Sequence, residues 1–293
     1  MIYQEAVIMV INGVIVTNIG QKVPKYKAQT DDFLQKSTLI ANLSLKEVSN
    51  PHVLSYVAKH KVDFILFWDK DIFLARTLAS LGYKVFNNPE TIYLCDDKAL
   101  TAYALTKAGV TQPNYFVFPL HFSGNIFDYY DIYKDELLKL GFPLVIKERF
   151  GSFGEQVYLA KDEDSLKDII KEHGTKPLLG QAFISEGSGS DYRLNVVGEE
   201  VLLSVKRTNT HDFRSNINQG GSAKEVEVAP LMKQTAILAT KAVHGHFAGV
   251  DIMLKDGIPH VLEVNSNMRT IAVNKVSNVD LTLKILEYII NNI

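Results

Sequence analysis

Three residues near the C-terminal end have the chemistry to hold a divalent cation: Asp251, Glu263 and Asn265. In Val250-Asp-Ile-Met-Leu254 the apolar Val250, Ile252 and Leu254 alternate onto one face of an extended segment, which turns Asp251 to the other. In Val261-Leu-Glu-Val-Asn265, Leu262 and Val264 share one face while Glu263 and Asn265 share the opposite one. Two adjacent strands can therefore gather three oxygen donors on one surface. Oxygen-only ligation suits Mg2+, which keeps waters and takes substrate phosphates as further ligands. For Asp251 to face Glu263, the connection needs an odd number of residues, and Asp256-Gly257-Ile258 is the expected loop. A two-residue Asp-Gly turn in a regular ladder would put the carboxylates on opposite faces. The same pattern also fits an edge hairpin whose polar positions face water.

Lys147 ends the apolar run Leu144-Val-Ile146 and precedes Gly151-Ser152-Phe153-Gly154. A cation fixed beside a glycine loop is suited to a nucleotide phosphate, because backbone N–H groups at Gly151 and Gly154 can approach the oxygens closely. A lysine at a surface hairpin loop would look the same. Arg207, Arg214 and Asn216, with Arg193 and Lys206, form a local basic cluster able to clamp phosphate or carboxylate, although a charge run often only faces solvent. His244-x-His246 has metal-like spacing but no third ligand and reads as surface or packing histidine. The one cysteine, Cys95, has no histidine or serine neighbour, so it reads as a small buried residue and neither a Ser-His-Asp nor a Cys-His triad can be assembled.

The elements that must carry these residues belong to a 293-residue chain with 46% hydrophobic and 22% charged residues, the balance of a folded globular protein. With 31 basic and 33 acidic residues the formal charge is −2, which gives no sign of a nucleic-acid binder acting through bulk charge. A single cysteine excludes an internal disulfide and a cysteine zinc cluster. No export signal or membrane span is read, since the apolar stretch Ala6–Val16 is broken by Asn12-Gly13; the expected setting is the cytoplasm. Three stretches follow. Residues 1–93 alternate strands (Ala6–Val16, Val62–Trp68, Tyr83–Phe86) with helical patterns (Pro51–Lys59, Ile72–Leu81), as in an open, mostly parallel α/β sheet. Neither G-x-G-x-x-G nor G-x-x-x-x-G-K-[ST] is present. Residues 94–179 open on Asp96-Asp97-Lys98 before a helix and carry strands Leu144–Lys147 and Gln156–Ala160 around the glycine loop. Residues 180–293 carry hairpins Tyr192–Val197/Val201–Lys206 and Val250–Leu254/Val261–Asn265, a helix at Leu231–His244 and a final helix at Leu281–Ile290.

In order, the chain reads Asp97-Lys98, Phe142-Pro-Leu-Val-Ile-Lys147, Gly151-Ser-Phe-Gly154, Gln181-Ala-Phe-Ile184, Asp191-Tyr-Arg193, Asp212-Phe-Arg214-Ser-Asn216, Gly220-Gly221, Gly249-Val-Asp251 and Leu262-Glu-Val-Asn265. From Asp97 to the C-terminus this resembles the RimK-type carboxylate–amine ligases of the ATP-grasp superfamily, and the first stretch resembles their pre-ATP-grasp α/β domain. The resemblance implies an α/β chain in which two ATP-grasp subdomains, 94–179 and 180–293, clasp ATP after the small domain 1–93. It implies that Lys98 and Lys147 bind ATP beside Gly151, Ser152 and Gly154. Gln181, Ala182, Phe183 and Ile184 form the adenine hinge, Asp191 meets the ribose, and Arg193 belongs to the nucleotide set. Arg207, Arg214 and Asn216 lie at the triphosphate and acyl phosphate, and Asp251, Glu263 and Asn265 bind one or two Mg2+ ions, for which Mn2+ can substitute.

The chemistry so implied is phosphorylation of a carboxylate by ATP, attack by an amine, and collapse to an amide, ADP and phosphate, with no covalent enzyme nucleophile. The carboxylate–amine pair would be an amino acid or peptide, or a protein tail as acceptor; a homo-oligomer is compatible, a nucleic acid or membrane partner is not expected. The sequence departs from the many relatives that follow Glu-Val-Asn with Ser-Pro-Gly. Here Ser266-Asn267-Met268-Arg269-Thr270 follows, which looks somewhat like the ligases that load an amino acid onto a carrier protein in lysine biosynthesis (LysX type). Asn267 and Arg269 become candidate substrate residues, Arg269 for a carboxylate. A catalytically silent ATP-binding regulator is the remaining alternative.

Overall fold

The computed structural model describes residues 9–20, 24–152, 154–215 and 221–293, which divide into two compact units: one of residues 1–92 with 267–293, the other of residues 93–266. In the first unit, strand β1 (Ile11–Thr17) is followed by helix α1 (Pro24–Ser37), β2 (Leu43–Ser49), α2 (Val53–Val57), β3 (Phe64–Trp68), α3 (Ile72–Ser80) and β4 (Val85–Phe86). The strands pair in parallel in the order β2-β1-β3-β4. Val14, Ile15 and Val16 of β1 and all of β3 are buried, the near-continuous apolar run expected of a parallel strand covered on both faces. Gly13 allows the Phe64 ring to lie against the backbone, since a β-carbon there would sit 2.3 Å from it. The expected strand over Ala6–Val16 begins at Ile11, and its first residues, through Ile8, lie outside the described part.

Helix α4 (Pro89–Asp96) carries the chain into the second unit, which continues with α5 (Lys98–Lys107), β5 (Tyr115–Val117), α6 (Tyr130–Leu138), β6 (Leu144–Glu148), β7 (Val157–Ala160), α7 (Glu163–His173), β8 (Leu178–Ala182), β9 (Ser190–Val197), β10 (Glu200–Thr208), β11 (Ser222–Glu225), α8 (Pro230–Ala242), β12 (Phe247–Lys255) and β13 (Ile258–Asn265). Two antiparallel sheets result, β5-β8-β6-β7 and β11-β10-β9-β12-β13. Leu144 and Ile146 of β6 pack with Leu166, Ile170 and Leu178. Val250, Ile252, Val261 and Val264 pack beneath Met232, Ala236 and Ala239 of α8. Alternation leaves the other face of each sheet free to line a site.

Helices α9 (Thr270–Asn274) and α10 (Leu281–Ile290) return to the first unit. The residues after Ser266, expected within the 180–293 stretch, thus join the α/β unit. The anchor is polar and only its centre is buried: Gln29 of α1 donates to Thr270 Oγ1 at 2.6 Å and accepts from its N–H at 3.0 Å, while at its partly exposed edge Asp32 accepts from Thr282 at 2.5 Å and Lys36 pairs with Asp280 at 2.6 Å. Among the described residues no helix is long and apolar enough to cross a membrane.

Candidate active site

The hairpin that carries Asp251 and Glu263 is built differently from the expectation. Its turn is the two-residue Asp256-Gly257, with φ of 51° and 74°, and Lys255 pairs directly with Ile258. Positive φ at both turn residues is the primed geometry whose twist suits a hairpin. The odd residue is absorbed inside β13. Ile252 pairs with Val261, but Asp251 pairs with Glu263, so Leu262 is a β-bulge. The bulge shifts the register by one and brings Glu263 and Asn265 onto the face of Asp251. It also corrects the expected placement of Leu262: instead of joining Val264 in the core, it lines the cleft.

That cleft, about 820 Å3 with its open mouth, lies within the second unit between the two sheets. Val145, Lys147, Val157 and Gln181 line it from the four-stranded sheet, joined by the chain through Ala182, Phe183 and Ile184. Lys147 pairs with Val157 and Val145 with Gln181, which places these side chains on one face. Asp191, Arg207, Asp251, Met253, Leu262 and Glu263 line it from the five-stranded sheet, and Lys98, Gly151, Ser152, Gly154, Gln156, Phe213, Arg214 and Ser215 complete the rim. Val145, Val157, Met253, Leu262, Gln156, Phe213 and Ser215 were not foreseen as site residues. Strand alternation around Leu144 and Ile146 marks Val145 and Val157 in retrospect, whereas the bulge conceals Leu262.

The cations are held by their neighbours. Asp97 caps α5 by accepting from Ala99 N–H at 2.9 Å, and the Arg149 guanidinium forks onto the same carboxylate. This fixes Lys98, whose Nζ donates to the Gly151 carbonyl at 3.2 Å. Lys147 Nζ donates to Gln181 Oε1 at 2.6 Å. Burial pushes the Lys147 ammonium down to about 8; Glu263 opposes this, Lys98 adds to it, and Asp251 opposes it. Arg214 forks onto Asp212 and donates to the Gly154 carbonyl at 2.6 Å.

At the floor, four charges interlock. Arg207 forks onto Asp191, and its Nη2 lies 3.0 Å from Asp251. Arg193 donates to both oxygens of Asp251, at 2.5 and 2.6 Å. Burial alone would raise the Asp251 carboxyl, but the two guanidinium groups outweigh it and hold it below the usual range. Both oxygens of Asp191, expected at a ribose, accept from Arg207. Arg193, expected at the nucleotide, lies behind Asp251 and does not line the cleft. The Glu263 carboxylate makes no hydrogen bond or ion pair among the described residues, and the side chain of Asn265, which does not line the cleft, donates only from its nitrogen, to the Gly249 carbonyl at 3.3 Å. Its Oδ1 remains free to bind an ion. Glu263 and Asn265 therefore suit a hard cation, whereas Asp251 would first have to give up a guanidinium. Asn216 lies outside the described residues. Asn267 and Arg269 belong to the first unit, Arg269 with its guanidinium 5.9 Å from the Tyr26 ring centre.

Residues 95–289 match the RimK-like ATP-grasp domain family. The chain belongs to that family. Over 224 residues it is 34% identical to a probable alpha-L-glutamate ligase of Maridesulfovibrio salexigens, covering 75% of this chain and 71% of that one. Over 226 residues it is 33% identical to the human N-acetylaspartylglutamate synthase A, covering 75% of this chain but 56% of the relative. In fold it is similar to the D-alanine–D-alanine ligase of Bacillus anthracis complexed with ATP, with a TM-score of 0.73 at 20% identity over 96% of this chain and 97% of that one. The RimK-like chain is accordingly an ATP-dependent carboxylate–amine ligase with the ATP-grasp fold.

Proposed function

We propose that the cleft binds ATP with Mg2+, phosphorylates a substrate carboxylate and transfers the acyl group to the amine of an amino acid, with L-glutamate the first candidate. The observation that carries this reading is the pairing within one cleft of an apolar slot (Val145, Val157, Met253, Leu262) with Lys98, Lys147, Arg207 and Arg214 and with the uncommitted carboxylate of Glu263; Asn265 shares the face of Glu263 but lies outside the cleft lining. The apolar walls suit a base, Phe183 between Ala182 and Ile184 supplies backbone groups beside it, and the cations suit a triphosphate. Glutamate is favoured as the amine because one relative is named as a probable alpha-L-glutamate ligase and the other as a synthase of N-acetylaspartylglutamate.

In the reaction, a carboxylate oxygen attacks the γ-phosphorus and ADP leaves. The amine nitrogen then attacks the acyl carbon, the nitrogen loses a proton, and phosphate departs. Arg207 and Arg214 supply positive charge where oxygen charge develops, and Lys98 and Lys147 hold the nucleotide. Glu263 and Asn265 would hold the ion, which when bound neutralises phosphate charge. An ADP-release screen across amino acids and acidic peptides tests the reading. Release should require both a carboxylate and an amine and should vanish in the Glu263→Gln/Asn265→Ala double variant; release that survives in this variant would remove the metal assignment.

A further inference from the structure

Three main-chain groups of the glycine loop, at Gly151, Ser152 and Gly154, already have partners in the protein. Ser152 N–H donates to Gln156 Oε1 at 3.2 Å. The Gly151 carbonyl accepts from Lys98 and the Gly154 carbonyl from Arg214. Gln156 can reach the loop only because Gly151 has no side chain: a β-carbon there would sit 2.4 Å from Gln156 Oε1, in a backbone with φ of +151°. The main chain of Gln156 is anchored separately, its carbonyl accepting from Glu148 N–H at 3.1 Å. The carboxamide is therefore held at the loop by its own contacts and is not needed to complete the strand.

Each of these bonds pairs groups that a phosphate chain would pair differently. A backbone N–H and two cations are what phosphate oxygens accept from, and here all three donate to protein oxygens. Lys98 and Arg214 keep their value on exchange, because their charge follows them to the phosphate. Gln156 Oε1 does not: it is a neutral acceptor in the place an anionic acceptor must take. Building on the reading of the cleft as an ATP site, we propose that Gln156 is a positioning residue whose carboxamide occupies the Ser152 amide in place of a nucleotide phosphate oxygen, so that it sets nucleotide affinity through the loop.

Binding of ADP and of adenosine, measured by calorimetry on the full chain, tests this. Adenosine shares the base and ribose but not the phosphates. Gln156→Ala removes the competing acceptor and should tighten ADP binding roughly two- to tenfold, the worth of one neutral hydrogen bond, while leaving adenosine unchanged. Gln156→Asn, too short to reach Ser152 N–H, should behave as the alanine variant does and guards against an unfolded one. Gln156→Glu puts a negative charge at the same amide and should weaken ADP but not adenosine. Weaker or unchanged ADP binding in the alanine and asparagine variants, or equal shifts for ADP and adenosine, would overturn the proposal. Failure of the unaltered chain to bind ADP would defeat the ATP-site reading as well, whereas normal binding with indifferent variants would defeat this proposal alone.

Discussion

Lys147 makes nucleotide affinity depend on pH in a range where an ordinary lysine would not. Its ammonium is pushed down to about 8 by burial, with Glu263 and Asp251 opposing the shift and Lys98 adding to it. Only the charged form attracts phosphate, so affinity should fall as pH rises through 8. A group titrating at 8 is about nine-tenths charged at pH 7 and about one-tenth at pH 9, which predicts a roughly tenfold loss of ADP affinity across that interval. A lysine at its ordinary value of 10.5 would lose only a few per cent. The assay is ADP binding by calorimetry from pH 7 to 9.5, without divalent cation so that no metal equilibrium intrudes. Lys147→Arg should flatten the profile, because guanidinium stays charged throughout. Glu263→Gln removes the leading opposing charge and should move the break to lower pH, and Lys98→Met should move it higher. A flat profile in the unaltered chain up to pH 9, or a break that moves upward in Glu263→Gln, would refute the reasoning.

Two further outcomes follow from the floor and walls of the cleft. Asp191→Asn leaves the buried Arg207 with Asp251 as its remaining anionic partner; a loss of about 3 kcal/mol is expected, visible as a fall of several degrees in melting temperature, and an unchanged melt would show that the fork contributes little. Leu262→Ser places a hydroxyl in the apolar slot without touching a charge, so it should weaken adenosine and ADP binding by similar factors of about ten, measured by the same calorimetry; a loss confined to ADP would place Leu262 away from the base.

Much of this site could be read before any coordinates, because strand alternation is a local property. Val250 and Ile252 against Asp251, and Leu144 and Ile146 against Lys147, announced which side chains face the core and which the cleft. The hairpin Ser190–Thr208 and the helix Leu281–Ile290 carried equally local signals. What stayed hidden depended on pairing between distant segments. The bulge at Leu262 has no signature of its own: Asp256-Gly257 is an ordinary two-residue turn, and the shift arises because Glu263, two residues beyond Val261, meets Asp251. The sequence sets Arg193 in a local basic cluster, but only the pairing of β9 with β12 sets it opposite Asp251 and turns an expected nucleotide ligand into a partner for a carboxylate. Helix α1 escaped notice for another reason. Its sequence is mostly polar, Phe33 is its one fully buried large apolar side chain, and Gln29 and Asp32 anchor it through hydrogen bonds that no hydrophobic period reveals.

The central claim is that a carboxylate is activated as an acyl phosphate before the amine attacks. The most direct measurement follows oxygen: with the carboxylate labelled by 18O and supplied with ATP, Mg2+ and the amine that supports ADP release, mass spectrometry of the products reads where the label goes. The account predicts about one labelled oxygen in the released phosphate for each amide formed, with none in ADP. Phosphate released without label, or label found in AMP, would contradict it.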